Sequence, residues 1–285
     1  MSKPFKLIEC PRDAMQGLHE FVPTHLKAAY INLLLQVGFD TLDFGSFVSP
    51  KAIPQLRDTA EVLDLLELDA TQTKLLAIVA NVKGIEAAVK HEQLSYLGFP
   101  FSISETFQQR NTNSSIAQSL TVVEQLLELC DRHRKTAVVY LSMGFGNPYG
   151  DEWNMETVEE WTTALVNRGV KILSLSDTTG VATPEKILEI LPPLLKRFNQ
   201  TEIGLHLHST PQTRLEKIEA AYQAGCTRFD SALKGFGGCP MAADELTGNL
   251  ATEAVIDFLQ SKGEHLGLNL DQWQGALAFS PQIFH

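Results

Sequence analysis

The chain has 285 residues, of which 44% are hydrophobic and 20% charged, and it carries a formal net charge of −11. That length and composition supply a large core and a solvated surface, enough for one large α/β domain or two small ones. The acidic balance, with 23 Lys and Arg scattered rather than clustered, argues against a nucleic-acid backbone or an anionic membrane as the main partner.

The chain starts MSKPFKLIECPRD, a short polar stretch running straight into a strand pattern. It shows neither the apolar core of a signal peptide nor the Arg-rich start of a transit peptide. No run of about eighteen apolar residues follows, so no membrane span is expected. The four cysteines, Cys10, Cys130, Cys226 and Cys239, form no C-x-x-C pair and match neither a zinc knuckle nor a disulfide framework. These features together predict a cytoplasmic protein.

In chain order, eight β-branched or aliphatic runs read as strands: FKLIEC from 5, TLDFGSFV from 41, KLLAIVAN from 74, LSYLGFPFSIS from 94, KTAVVYLSM from 135, KILSLSD from 171, EIGLHLH from 202 and RFDSALKGFG from 228. Between them lie helical periodicities, among them THLKAAYINLLLQVGF from 24, SIAQSLTVVEQLLELCDRH from 115, METVEEWTTALVNRG from 155 and QTRLEKIEAAYQAG from 212. Asn154 and Thr183 stand where N-caps belong, Pro184 takes a first helical position, and Gly169 and Gly225 follow helix ends. Strand and helix alternating eight times without a Pro-, Gly- or Ser-rich linker predicts a single (β/α)₈ TIM barrel over residues 1–285. No Gly-x-Gly-x-x-Gly follows the first strand, so no nucleotide redox cofactor is expected.

A barrel of this kind carries its active site at the carboxyl ends of its strands. Those ends hold Arg12 and Asp13, Asp43 and Ser46, Ser104 and Glu105, Tyr140 and Ser142, Ser174 and Asp177, His206 and His208, and, in a GFGGCP loop, Cys239. Side chains alternate along a strand, so His206 and His208 point one way while Leu205 and Leu207 point the other. Taken alone, such a pair can be a clamp or merely two hydrogen-bonded imidazoles on a polar face. Combined with Asp13 and a nearby amide oxygen, it would make an open, mixed N/O site for Mg²⁺, Mn²⁺ or Zn²⁺. The structural alternative for Asp13 is an ion pair with its neighbour Arg12.

PRDAMQG (11–17), GSFVSPKAIPQLRD (45–58), SETFQQRNTNSSI (104–116), SLSDTTGVATP (174–184), HLHST (206–210) and GFGGCP…TGNLATE (235–253) together resemble the 3-hydroxy-3-methylglutaryl-CoA lyase family of TIM-barrel, metal-dependent lyases and synthases. The similarity runs along nearly the whole chain; GSFVSPK and GGCP…GNLATE point to the lyase branch. The resemblance implies cleavage of an acyl-CoA thioester to acetyl-CoA and acetoacetate, with a place in leucine catabolism and ketone-body formation. By the family pattern the divalent metal, Mg²⁺ or Mn²⁺ before Zn²⁺, is held by Asp13, His206, His208 and Asn249. The pattern also implies catalytic roles for Arg12, Asp13, Asp43, His206 and Cys239. Arg12 faces the thioester oxygen and Cys239 closes over the bound thioester. Gln16, Ser46, Asn111, Tyr140, Ser174, Asp177 and Thr178, with Arg12, match substrate-lining positions. Cys10, Cys130 and Cys226 read as inert, buried thiols, and the plain alternative for Asn249 is a cap of the helix that follows.

Four positions depart from the family pattern. Asp43 replaces a usual Glu, Ser209 a usual Asp after the second histidine, and Val138 an Arg that relatives often carry two residues before Tyr140. His19 falls near a usual Lys close to the CoA phosphates. These changes leave room for a bulkier 3-hydroxy-3-alkylglutaryl-CoA substrate. The rival readings are a Claisen-type synthase condensing acetyl-CoA with a 2-oxo acid, against which the Cys239 loop and the short C-terminal end speak, and a catalytically idle barrel acting as a binding protein. A homodimer is expected by analogy with other barrels.

Overall fold

The computed structural model describes residues 4–238 and 247–284. Eight strands, β1 (Lys6–Glu9), β2 (Thr41–Ser46), β3 (Lys74–Ile78), β4 (Leu94–Ser102), β5 (Thr136–Ser142), β6 (Ile172–Ser176), β7 (Glu202–His206) and β8 (Arg228–Ser231), pair in parallel. β8 returns to β1, with Lys6 opposite Arg228 and Glu9 opposite Ser231, and closes the barrel.

The strands read as near-continuous apolar runs because both of their faces are covered. Along β5, Ala137, Val139 and Leu141 pack into the core between barrel and helices, whereas Val138 and Tyr140 point into the lumen with Leu76, Ile78, Tyr96 and Ile172. Outside lie helices that include Thr24–Val37, Ile116–Arg132, Met155–Asn167, Pro184–Arg197 and Arg214–Gln223. Their ends follow the sequence signals. Ser115 and Gln118 form a capping box, Asn154 accepts from Thr157 N, and Thr183 accepts from Lys186 N with Pro184 at the first helical position.

Three local features differ from the sequence reading. A short helix, Pro11–Gln16, opens directly after β1 with Pro11 at its start, and it carries Arg12 and Asp13. The seventh strand ends at His206 rather than 208: the Leu207 carbonyl accepts from Leu250 N, and His208–Ser209 pair antiparallel with Gly248–Asn249. The eighth strand stops at Ser231, because the Glu9 carboxylate takes Leu233 N and draws residues 233–235 into a 3₁₀ turn.

Candidate active site

The turn from β1 into Pro11–Gln16 swings Arg12 and Asp13 over the carboxyl-end mouth. Arg12 is 8% exposed, and its Nε donates to both oxygens of the fully buried Asp43, at 3.1 and 3.0 Å. Its Nη2 also donates to Asp43, and its Nη1 reaches Asp13 Oδ1 at 2.8 Å and Gln16 Oε1 at 3.0 Å. Burial works against the guanidinium charge, but the two carboxylates outweigh it and raise the Arg12 pKa further, so this side chain stays a cation. Burial pushes Asp43 up to about 6 against the pull of Arg12. Burial also acts upward on Asp13, but Arg12 and the two histidines prevail and hold it below the usual carboxylate range.

His206 and His208 meet edge to face, with ring centroids 5.4 Å apart. His206 Nδ1 lies 3.3 Å from Asp230 Oδ2, and Tyr140 meets the same imidazole edge-on. Burial alone would lower its pKa; the hydrogen bond to Asp230 and the charge of Asp13 raise it instead. His208 Nδ1 lies 3.1 Å from the Thr178 carbonyl oxygen, to which only a protonated Nδ1 can bond. That leaves the His208 Nε2 lone pair buried and without a hydrogen-bond partner among the described residues. Burial, reinforced by His206, lowers the His208 pKa to about 4, so the ring is neutral near pH 7. One ligand atom from each of Asp13, His206 and His208 falls within 4.8 Å of the others.

Asn249 stands beside His208, its register partner in the short antiparallel pair. Its Nδ2 donates to Asp13 Oδ2 at 2.6 Å and to the Phe236 carbonyl at 2.8 Å. It is not the cap of the next helix, whose N-cap is Ala251. Gly237, at φ +90°, permits this approach: a Cβ there would lie 2.7 Å from the Asp13 carbonyl oxygen and 2.9 Å from Asn249 Nδ2. Two nitrogens and two oxygen-bearing side chains at one point, one of them an orphaned imidazole lone pair, are a donor set suited to a divalent cation.

The mouth opens into a cavity of about 390 Å³. Arg12, Asp13, Gln16, Asn111, Tyr140, Thr178, His206 and His208 line it, facing an apolar wall that includes Val48, Ile53, Ile78 and Phe107. Five predicted residues lie off that lining, Asn249 among them. Asp43 is behind Arg12. Ser46 hydroxyl donates to the Ile78 carbonyl and accepts from Val48 N. Ser174 donates to Asp230. Asp177, 1% exposed, accepts from Lys217 Nζ at 2.9 Å and Ala182 N at 2.9 Å. Cys239 lies outside the described residues, while Cys10, Cys130 and Cys226 are buried free thiols whose pKa values burial drives upward. Among the departures, Val138 is fully buried in the lumen, Ser209 donates to the Asn249 carbonyl and His19 is exposed.

Three residues that the sequence reading passed over belong to this neighbourhood. Asp230 sits beneath His206, Lys217 holds Asp177 and the His208 carbonyl, and Arg110 lines the cavity. Asp230 was accessible in principle, since it alternates with Phe229 on β8 and therefore faces inward. Lys217 lay in an ordinary amphipathic helix and gave no such sign.

A TIM barrel with acid, imidazole and guanidinium groups gathered at its carboxyl mouth defines a class of enzymes, and comparison with known proteins narrows it. The HMGL-like family model matches residues 6–278, and the chain belongs to that family. It is 34% identical to hydroxymethylglutaryl-CoA lyase YngG of Bacillus subtilis (strain 168), over 92% of this chain and 87% of that protein. The crystal structure of a B. subtilis HMG-CoA lyase superposes with a TM-score of 0.92 at 32% identity, covering 99% of this chain and 95% of the other. An HMG-CoA lyase from Acinetobacter baumannii in complex with coenzyme A and 3-methylmalate superposes with a TM-score of 0.91 at 30% identity, covering 100% and 94%.

Proposed function

We propose that the protein is a divalent-metal-dependent lyase that splits 3-hydroxy-3-methylglutaryl-CoA, or a close 3-alkyl homologue, into acetyl-CoA and acetoacetate. The observation that carries this reading is the convergence of Asp13, His206 and His208 within 4.8 Å beside Arg12, in a member of the HMGL-like family. The bound coenzyme A of the A. baumannii relative supports an acyl-CoA substrate.

Asp13, His206, His208 and Asn249 would hold the cation, Mg²⁺ or Mn²⁺. A half-turn of the Asn249 carboxamide exchanges the NH₂ now facing Asp13 for its carbonyl oxygen. When bound, the ion acts as a Lewis acid that lowers the pKa of the substrate's tertiary hydroxyl. The C3 hydroxyl proton leaves toward the Asp13 carboxylate, and His206 stands beside it at the same point. Its O–H electron pair becomes the C=O of acetoacetate, and the C2–C3 pair passes to the thioester as an enolate. Arg12, a fixed cation on the cavity wall, sits where the enolate oxygen gathers charge. Asp43 fixes Arg12 from behind, and Gln16 donates to Asp13 Oδ1 at 2.6 Å. Cys239 is assigned delivery of a proton to C2, which completes acetyl-CoA. Asn111, Tyr140 and Thr178 bound the acyl group; Ser46, Ser174 and Asp177 support it from outside the lining.

Residues 1–285 act as one domain, and we place the protein in the cytoplasm as a homodimer. The buried, unpaired thiols among the described residues support a reducing compartment. The test of function is metal-stripped protein resupplied with Mg²⁺ or Mn²⁺ and incubated with the thioester while acetoacetate is followed, with His208→Ala as control. Metal-dependent acetoacetate release, abolished in the variant, is expected. A folded protein that releases none under any metal condition overturns the assignment, and thiol release from acetyl-CoA plus a 2-oxo acid would assign a condensing enzyme instead.

A further inference from the structure

Below the mouth, two consecutive inward positions of β8 carry opposite charges, Arg228 and Asp230. Neither lines the cavity, and both are buried, at 0% and 1% exposure. Asp230 Oδ2 receives Ser174 Oγ at 3.2 Å and His206 Nδ1 at 3.3 Å, while its Oδ1 is buried without a hydrogen-bond partner among the described residues. Arg228 donates from Nη1 to Glu202 Oε1 at 3.0 Å, and its Nε and Nη2 are buried and likewise unpartnered. The Tyr140 hydroxyl is also unpartnered, and Asp230 and Glu202 are the carboxylates whose charges act on the guanidinium.

Room for this arginine has been made on the neighbouring strand. Gly204, on β7, lies under the Arg228 stem, and a Cβ at that position would fall 2.7 Å from both Cγ and Cδ. Val138 on β5 is an apolar lumen residue, and β8 supplies a guanidinium to the interior. A buried arginine with two idle donors is costly to maintain. Its charge acts on the carboxylate that touches His206.

We propose that Asp230 and Arg228 are positioning residues for the metal site. Asp230 accepts the Nδ1–H of His206 and so turns the Nε2 lone pair toward Asp13 and His208, while Arg228, two residues earlier on the same inward face, holds Asp230 in that setting. The two histidines are thus oriented by different acceptors, His208 by the Thr178 carbonyl and His206 by a carboxylate backed by a cation. An acceptor behind a ligating imidazole fixes its tautomer and its basicity. The inference rests on the metal site proposed above, yet its readouts do not use the lyase reaction.

The first measurement is ¹⁵N-histidine NMR of the wild-type protein at mildly alkaline pH, which reports the tautomer directly. His206 is expected with its proton on Nδ1; a proton on Nε2 overturns the proposal whatever any variant does. The second is Mn²⁺ titration followed by electron paramagnetic resonance on wild type, Asp230→Asn, Arg228→Met, Arg228→Lys and the double variant Arg228→Met/Asp230→Asn. Asp230→Asn is expected to weaken Mn²⁺ binding about 10–100-fold, and Arg228→Met by about tenfold or less. Arg228→Lys, which keeps the charge, should recover most of that loss. If Arg228 acts through Asp230, the double variant binds no more weakly than Asp230→Asn alone. Unchanged affinity in a folded Asp230→Asn protein, or losses that multiply in the double variant, would refute the arrangement. Wild type that binds Mn²⁺ and shows the expected tautomer but cleaves no thioester would defeat the lyase reading and leave this column intact.

Discussion

Lys217 offers a sharp test of how the mouth is built. It is 2% exposed, and its Nζ donates to Asp177 Oδ2 at 2.9 Å, the Gly180 carbonyl at 3.1 Å and the His208 carbonyl at 2.7 Å. One ammonium therefore ties helix Arg214–Gln223 to the β6 loop and to the backbone of His208. Lys217→Met keeps most of the stem volume but leaves a buried carboxylate whose remaining partner among the described residues is Ala182 N, together with two carbonyls that lose a donor. Removing one partner of a buried ion pair costs about 3–5 kcal/mol. For 285 residues, at about 2.1 cal/mol/K of unfolding entropy per residue, that corresponds to a fall in Tm of about 5–8 °C. Scanning calorimetry on wild type, Lys217→Met and Lys217→Met/Asp177→Asn measures it. The double variant loses the stranded charge while keeping an acceptor for Ala182 N, and should regain about half of the fall. A Tm within about 2 °C of wild type for Lys217→Met, below what a broken buried pair requires, would show that this contact does not hold the loop. A double variant less stable than the single one would refute the charge argument.

Three further outcomes follow from individual contacts. Burial pushes fully buried Glu9 from 4.5 to about 8, against hydrogen bonds from Thr252 and Leu233. Between those pH values the folded chain keeps a proton that the unfolded chain has released, so stability is full below about 4.5, falls as pH rises and levels off above about 8. The total reaches at most about 5 kcal/mol, and urea midpoints across this range should lose that slope in Glu9→Gln. Asp43→Asn strips Arg12 of its buried counter-charge while leaving Asp13 in place; kcat is expected to fall about 100-fold with KM changing less, in steady-state acetoacetate assays. Gly237→Ala forces a Cβ to 2.7 Å from the Asp13 carbonyl at φ +90°. It should cost about 1–3 kcal/mol in urea unfolding and weaken Mn²⁺ binding by displacing Asn249.

The barrel was legible because its strands are covered on both faces, so each one appears in the sequence as an uninterrupted apolar run between helical periodicities. What blurred was the ends. Pro11–Gln16 is too short to display a period, and the break at Leu207 depends on residues 248–249 returning from 40 positions further on. The site divides along a similar line. Asp13, His206 and His208 were readable because the chemistry of candidate ligands admits few residue types, and the two histidines keep their two-residue spacing in the sequence. The groups that aim them are less restricted. A carbonyl orients His208 and a carboxylate orients His206, and any residue could have supplied the former, so that contact leaves no trace in composition or motif. Asp177 shows the same ambiguity from the other side. Its position at a strand end resembled a substrate contact, but a lysine 40 residues away had already taken its charge. A carboxylate at a barrel mouth therefore identifies chemistry only after its counter-ion is located. By that criterion Asp13 remains open to a cation despite its bond to Arg12, because Arg12 is also held by Asp43 while two imidazoles still converge on Asp13.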